Sequence, residues 1–98
     1  MRVEKPNTIA DGLRMNVGAP NFSIMQRYVD DIVTVSEEAI VAAMRTIWEI
    51  MKIIIEPSAA VPYAAIIENK TDVRGKRAAL ILTGGNVDLD ALPWMQTR

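Results

Sequence analysis

The run Ala78-Ala79-Leu80-Ile81-Leu82 constrains this chain more than any other feature, because it shows no polar alternation. A strand with one wet face alternates apolar and polar side chains, whereas a run apolar at every position marks a strand covered on both faces. Arg77 to Leu82 is therefore expected as a doubly buried strand. Ile32 to Val35, "IVTV", is β-branched throughout and too short for a helix, so it is expected as a second.

Helical patterns separate the two. Thr34 or Ser36 can cap a helix, with Glu37 three residues after Thr34 completing a capping box and Glu37 and Glu38 favouring its positive start. Ile40, Val41, Met44, Ile47, Trp48 and Met51 follow at steps of one, three and four, a single apolar stripe that predicts a packing face. Glu56-Pro57 breaks that pattern, since a residue before proline is pushed out of the helical region. A further helix is expected from Pro57 or Ser58 to about Asn69, with Pro62 tolerated near its start. Upstream, Asn7 or Thr8 can cap a short helix from Ile9 to Met15, and Gly18 and Pro20 close it. Phe22, Met25 and Val29 suit another short amphipathic helix from Phe22 to Val29. Glu68 to Arg77 reads as a charged, solvated loop.

The resulting order, α, α, β, α, α, β, implies parallel pairing through right-handed crossovers: an α/β architecture with a partial parallel sheet flanked by helices. Two strands and these helices leave sheet edges unpaired, so the 98 residues read as a piece of a larger fold.

Composition excludes several function classes. The chain has no cysteine and no histidine, which removes disulfides, thiolate metal sites and the usual base at neutral pH. Eleven basic and twelve acidic residues, interspersed, give a net charge of -1 and no electrostatic footprint for nucleic acid or a membrane surface. The first residues lack the apolar core of a signal peptide and no run reaches membrane-spanning length, so a cytoplasmic address is expected, with small molecules or further copies of the chain as partners.

Three places carry candidate chemistry. Thr83-Gly84-Gly85-Asn86 lies at the carboxyl end of the predicted strand, where open parallel sheets bind ligands. Glycines there let backbone approach a flat ligand, and the Thr83 hydroxyl can donate to a ring nitrogen. The alternative is a two-residue hairpin joining "ALILT" to "NVDLD". Asn86, Asp88 and Asp90 alternate as at the start of a calcium loop but lack its later glycine and glutamate, leaving a solvated turn as the other reading. Glu56, between "MKIII" and Pro57, is either a buried carboxylate facing a ligand or an exposed helix start.

"TIADGL" (Thr8 to Leu13), "VDDIVTVSEEAIVAAM" (Val29 to Met44), "WEIMKIIIEPSAAVPYAA" (Trp48 to Ala65) and "LTGGNVDLDALPW" (Leu82 to Trp94) follow in order along nearly the whole chain. Together they resemble the C-terminal part of the pyridoxal-phosphate-dependent serine/threonine dehydratase and serine racemase family, enzymes of fold type II. The resemblance implies that 1–98 is the C-terminal segment of the large cofactor-binding domain, with the catalytic N-terminal part absent.

The resemblance further implies that the Thr83 hydroxyl faces the pyridine nitrogen of pyridoxal phosphate, with Gly84 and Gly85 beside it. Gly12 of "ADG" would lie near the ring and Glu56 of "EP" close to the site. Lys52 and Asn86 match positions that bind a nucleotide effector in racemase-like members. No metal ligand carries over. A neutral hydroxyl at the ring nitrogen would leave it largely unprotonated and suit elimination from the β carbon. The implied substrates are β-hydroxy amino acids: serine, threonine or 3-hydroxyaspartate. The lysine that attaches the cofactor, in a Ser/Asn-x-Lys motif, and the glycine-rich phosphate loop have no counterpart here, and Lys5, Lys52, Lys70 and Lys76 lie outside any such context. The isolated chain is therefore expected to hold no cofactor tightly and to be inactive. The rival expectation is a free-standing, non-catalytic module that covers its open edges by self-association or binds a small ligand.

Overall fold

The structure, a computed structural model, describes residues 8–10 and 18–95. The predicted helix at Ile9 to Met15 and Gly12 of the "ADG" motif fall wholly or mostly outside them. Among the described residues the order is α1 (Ala19–Tyr28), α2 (Glu37–Thr46), a π-helical turn (Ile47–Met51), α3 (Pro57–Ile67) and a 3₁₀ turn (Pro93–Met95).

Helix α2 begins on Ser36, whose hydroxyl oxygen accepts from the Ala39 amide at 3.1 Å, satisfying one of the helix's orphan donors. Ser36, not Thr34, is thus the cap, and the Thr34–Glu37 capping box does not form. Glu37 is instead the first helical residue, and its Oε2 accepts from the Ile9 amide at 3.2 Å, tying the N-terminal segment to α2. The Ser36 amide in turn donates to Glu68 Oε1 at 2.7 Å, so the start of α2 is clasped by the end of α3.

Packing follows from small side chains. Ala39, Ile40, Ala43 and Met44 of α2 and Ile47 of the π turn bury against Ala59, Ala60 and Ala64 of α3. Alanines on both surfaces let the helices approach closely, and Met44 and Ile55 fill the space as the largest fully buried side chains. The predicted stripe holds through Ile47. Met51, its last member, is exposed. The reason is the π turn: its wider ring inserts one residue, which carries Met51 out of line with Ile40, Met44 and Ile47.

Pro57 occupies the first turn of α3, where its missing N–H is no loss, and Pro62 sits inside the helix. The helix ends at Ile67, two residues earlier than expected. Asn69 takes a left-handed conformation (φ 57°), and the Lys70 amide closes back onto the Ala65 carbonyl at 2.9 Å, a Schellman-type stop.

Two expectations need correction. The amphipathic helix at Phe22 to Val29 exists as α1, yet it buries no residue: Phe22, Ile24 and Tyr28 are exposed. The segments Ile32–Val35 and Arg77–Leu82 form no strand among the described residues. A strand exists only by pairing, and neither segment finds a ladder partner. Ile32 and Ile81 are accordingly exposed. No helix of the described residues is long and apolar enough to cross a membrane.

Candidate functional site

The site is organised by the chain that links the π turn to α3. Lys52 ends the π turn in a left-handed conformation (φ 59°, ψ 35°), rare for a residue with a side chain, and reverses the backbone into Ile53 to Glu56. Ile55 plugs the core at 2% exposure, and Glu56 follows, half-buried, as the N-cap position of α3. This segment then meets the "TGGN" stretch. The Glu56 amide donates to the Gly84 carbonyl at 2.9 Å.

Both glycines are explained by that meeting. A Cβ on Gly84 would stand 2.8 Å from Glu56 Oε1, and one on Gly85 2.7 Å from the Ile54 carbonyl oxygen. The backbone these glycines admit is therefore the protein's own. Neither has a positive φ, which both types of two-residue hairpin turn require in at least one central residue. The hairpin alternative is excluded on that ground.

Of the sequence-predicted site residues, the structure brings Glu56, Gly84 and Gly85 together, with Thr83 exposed immediately before them. Lys52 lies four residues before Glu56 and Asn86 directly after Gly85; both are exposed. In "NVDLD", Asp88 Oδ1 accepts from the Asp90 amide at 2.9 Å and the Asp88 carbonyl from the Ala91 amide at 3.1 Å, the geometry of a solvated Asx turn.

What sequence reasoning missed is the segment facing the glycines. Ile53-Ile54-Ile55 is as β-branched as "IVTV", and that composition was the available signal for an extended segment beside "LILTGG". The stripe predicts only a packing role for Trp48, and the structure adds a polar one. Its ring is half-buried, and its Nε1–H donates to the Ile55 carbonyl at 2.9 Å. A separate apolar cleft of about 420 Å³ lies between the π turn, α3 and Leu80–Leu82, lined by Ile47, Ile50, Met51 and Tyr63 among others; none of the predicted site residues lines it.

The Glu56 carboxylate and the backbone of Gly84 and Gly85 thus meet where α3 begins, with the exposed Thr83 next in the chain. The chain belongs to the pyridoxal-phosphate-dependent enzyme family, whose model matches residues 1–84. Within it, the chain is 45% identical over 91 residues to beta-hydroxyaspartate dehydratase of Paracoccus denitrificans (strain Pd 1222), covering 93% of this chain and 29% of that protein. It is 47% identical over 92 residues to serine racemase of Dictyostelium discoideum, covering 90% and 28%. The structure of maize serine racemase superposes with a TM-score of 0.82 at 40% identity, over 91% of this chain and 29% of that one. The chain thus carries a segment of these enzymes' fold and spans less than a third of their length.

Proposed function

We propose that this chain is the C-terminal segment of the large domain of a dehydratase that eliminates water from a β-hydroxy amino acid, the resulting enamine then taking up water as it hydrolyses to ammonia and a 2-oxo acid. The observation that carries this reading is the Glu56–Gly84 contact, which sets the family's "EP" and "TGGN" motifs side by side. The donor set suits one edge of pyridoxal phosphate: an exposed Thr83 hydroxyl for the ring nitrogen, Gly84 and Gly85 beside it, and Glu56 nearby; Gly12, outside the described residues, is assigned to the ring by the family resemblance alone. When bound, pyridoxal phosphate supplies the electron sink that lets the α proton and the β hydroxyl leave. Thr83 acts as a neutral partner to the ring, and Glu56 presents a carboxylate at the site edge. Lys52 and Asn86 are assigned to an effector position. The parallel sheet forms when the rest of the enzyme supplies strands to Ile32–Val35, Ile53–Glu56 and Arg77–Leu82. Serine, threonine and 3-hydroxyaspartate are the candidate substrates, and the cytoplasm the candidate compartment.

The chain alone is expected to be inert. A chimera tests this: the Paracoccus dehydratase with the segment that matches this chain replaced by it. It should release ammonia and a 2-oxo acid from at least one of the three amino acids, and Thr83→Ala should lower turnover without lowering thermal stability, since Thr83 is exposed. A folded chimera without activity, or turnover by the isolated chain, overturns the reading.

One observation favours a second reading, a non-catalytic self-associating module. Ile50 is 74% exposed and Ile81 77%, with Met51, Ile53 and Ile54 also exposed, more large apolar surface than a small monomer usually shows.

A further inference from the structure

Trp48 stands on the π turn, and its indole donates to the Ile55 carbonyl at 2.9 Å. That carbonyl belongs to the same peptide unit as the Glu56 amide, which donates to Gly84 at 2.9 Å. A peptide unit is planar and trans, so its C=O and N–H point in opposite directions. Fixing the direction of one end fixes the other. Accepting a hydrogen bond at the carbonyl also polarises the unit and strengthens its N–H as a donor. Ile55 is 2% exposed, so water has little access to this residue and a donor such as the indole matters to its carbonyl.

The ring is itself braced. Trp94 of the 3₁₀ turn packs edge-on against it, with centroids 5.1 Å apart and planes at 82°. The Arg45 guanidinium lies 5.9 Å from the centre of the Trp94 ring and is anchored one turn on by Glu49 at 2.7 Å.

We propose that Trp48 is a positioning residue: through the Ile55–Glu56 peptide unit it aims the Glu56 amide at Gly84 and so sets the register of the two site motifs. This rests on reading Glu56 and Gly84 as part of the site. Any apolar side chain could fill the volume beside Ile55; only one with a donor can orient its carbonyl.

The test is amide hydrogen exchange by NMR on the full chain. In Trp48→Phe, which keeps a ring and loses the donor, the Glu56 amide should exchange roughly 5- to 10-fold faster, as loss of one net hydrogen bond implies. The Ala43 and Met44 amides of α2 should keep their rates. In Trp94→Phe, which retains an aromatic edge, the Glu56 rate should stay within about twofold of wild type. An unchanged Glu56 rate in Trp48→Phe, or uniform acceleration across the chain, overturns the proposal. A second readout needs no variant: in the wild type the Trp48 indole N–H should exchange as slowly as the Glu56 amide, and free exchange there overturns it too. Failure of the chimera with the exchange response intact removes the cofactor assignment and leaves the relay standing.

Discussion

Gly85 and Ile54 are neighbours that leave no room for a side chain: a Cβ on Gly85 would stand 2.7 Å from the Ile54 carbonyl oxygen. Close approach, not a tight turn, is what this glycine serves, because its φ is not positive. The same holds for Gly84 against Glu56, with one difference. There the obstructing atom is a carboxylate oxygen at the end of a rotatable side chain.

That difference makes the two glycines separable. Gly85→Ala must shift backbone and should destabilise by about 1–3 kcal/mol, the usual cost of overpacking. Gly84→Ala should cost less, since Glu56 can swing aside. Paired urea titrations check the order, and equal costs would contradict it.

Met44 and Met51 lie on the same predicted stripe but in different surroundings. Met44 is fully buried against α3, so Met44→Ala should cost about 2–5 kcal/mol. Met51 is 55% exposed, and Met51→Ala should fall within about 0.5 kcal/mol of wild type. Denaturant midpoints at equal slope would show both.

Glu68 gives acid sensitivity a definite sign. Its carboxyl is held below the ordinary value of 4.5, first by the hydrogen bond from the Ser36 amide, then by the Ser36 hydroxyl, with Lys70 adding a smaller pull. A lowered folded value means that its stabilisation is present above pH 4.5 and is lost as pH falls through the lower, folded value. Glu68→Gln should lower stability at pH 7, where the charged carboxylate is in place, and converge with the wild type toward pH 3, which flattens the fall on acidification. Thermal melts from pH 7 to pH 3 compare the two; an unaltered acid limb would refute the link.

The exposed isoleucines predict association of the chain on its own. Light scattering should find dimers or larger species at micromolar concentration, and Ile50→Lys with Ile81→Lys should shift them toward monomer. A wild-type chain that stays monomeric at high concentration would remove the self-association reading.

The helices were legible because their signals are local: Ser36 before Glu37–Glu38, the three-and-four spacing from Ile40, Pro57 opening α3. The glycine pair was legible only as a place. Its purpose depended on Ile54 and Glu56, some thirty residues earlier in the chain, and no local rule links them. The strands predicted at Ile32–Val35 and Arg77–Leu82 could not appear without partners, because strand propensity describes a readiness to pair. The alanines of α3 escaped notice because small side chains carry little hydrophobic signal while deciding how close two helices come. The departure at Met51 was invisible for a further reason: spacing rules assume one helical period, and the chain changes period at Ile47.

That change of period works like a half-step in a screw thread. Upstream of Ile47 the helix is phased to α3; downstream, Lys52 to Glu56 is phased to Gly84 and Gly85, and the extra residue absorbs the mismatch. Shortening the turn by one residue would let α2 keep its grip on α3 while carrying Glu56 past its station, so an engineer or an evolving lineage can retune the motif alignment here without touching either motif.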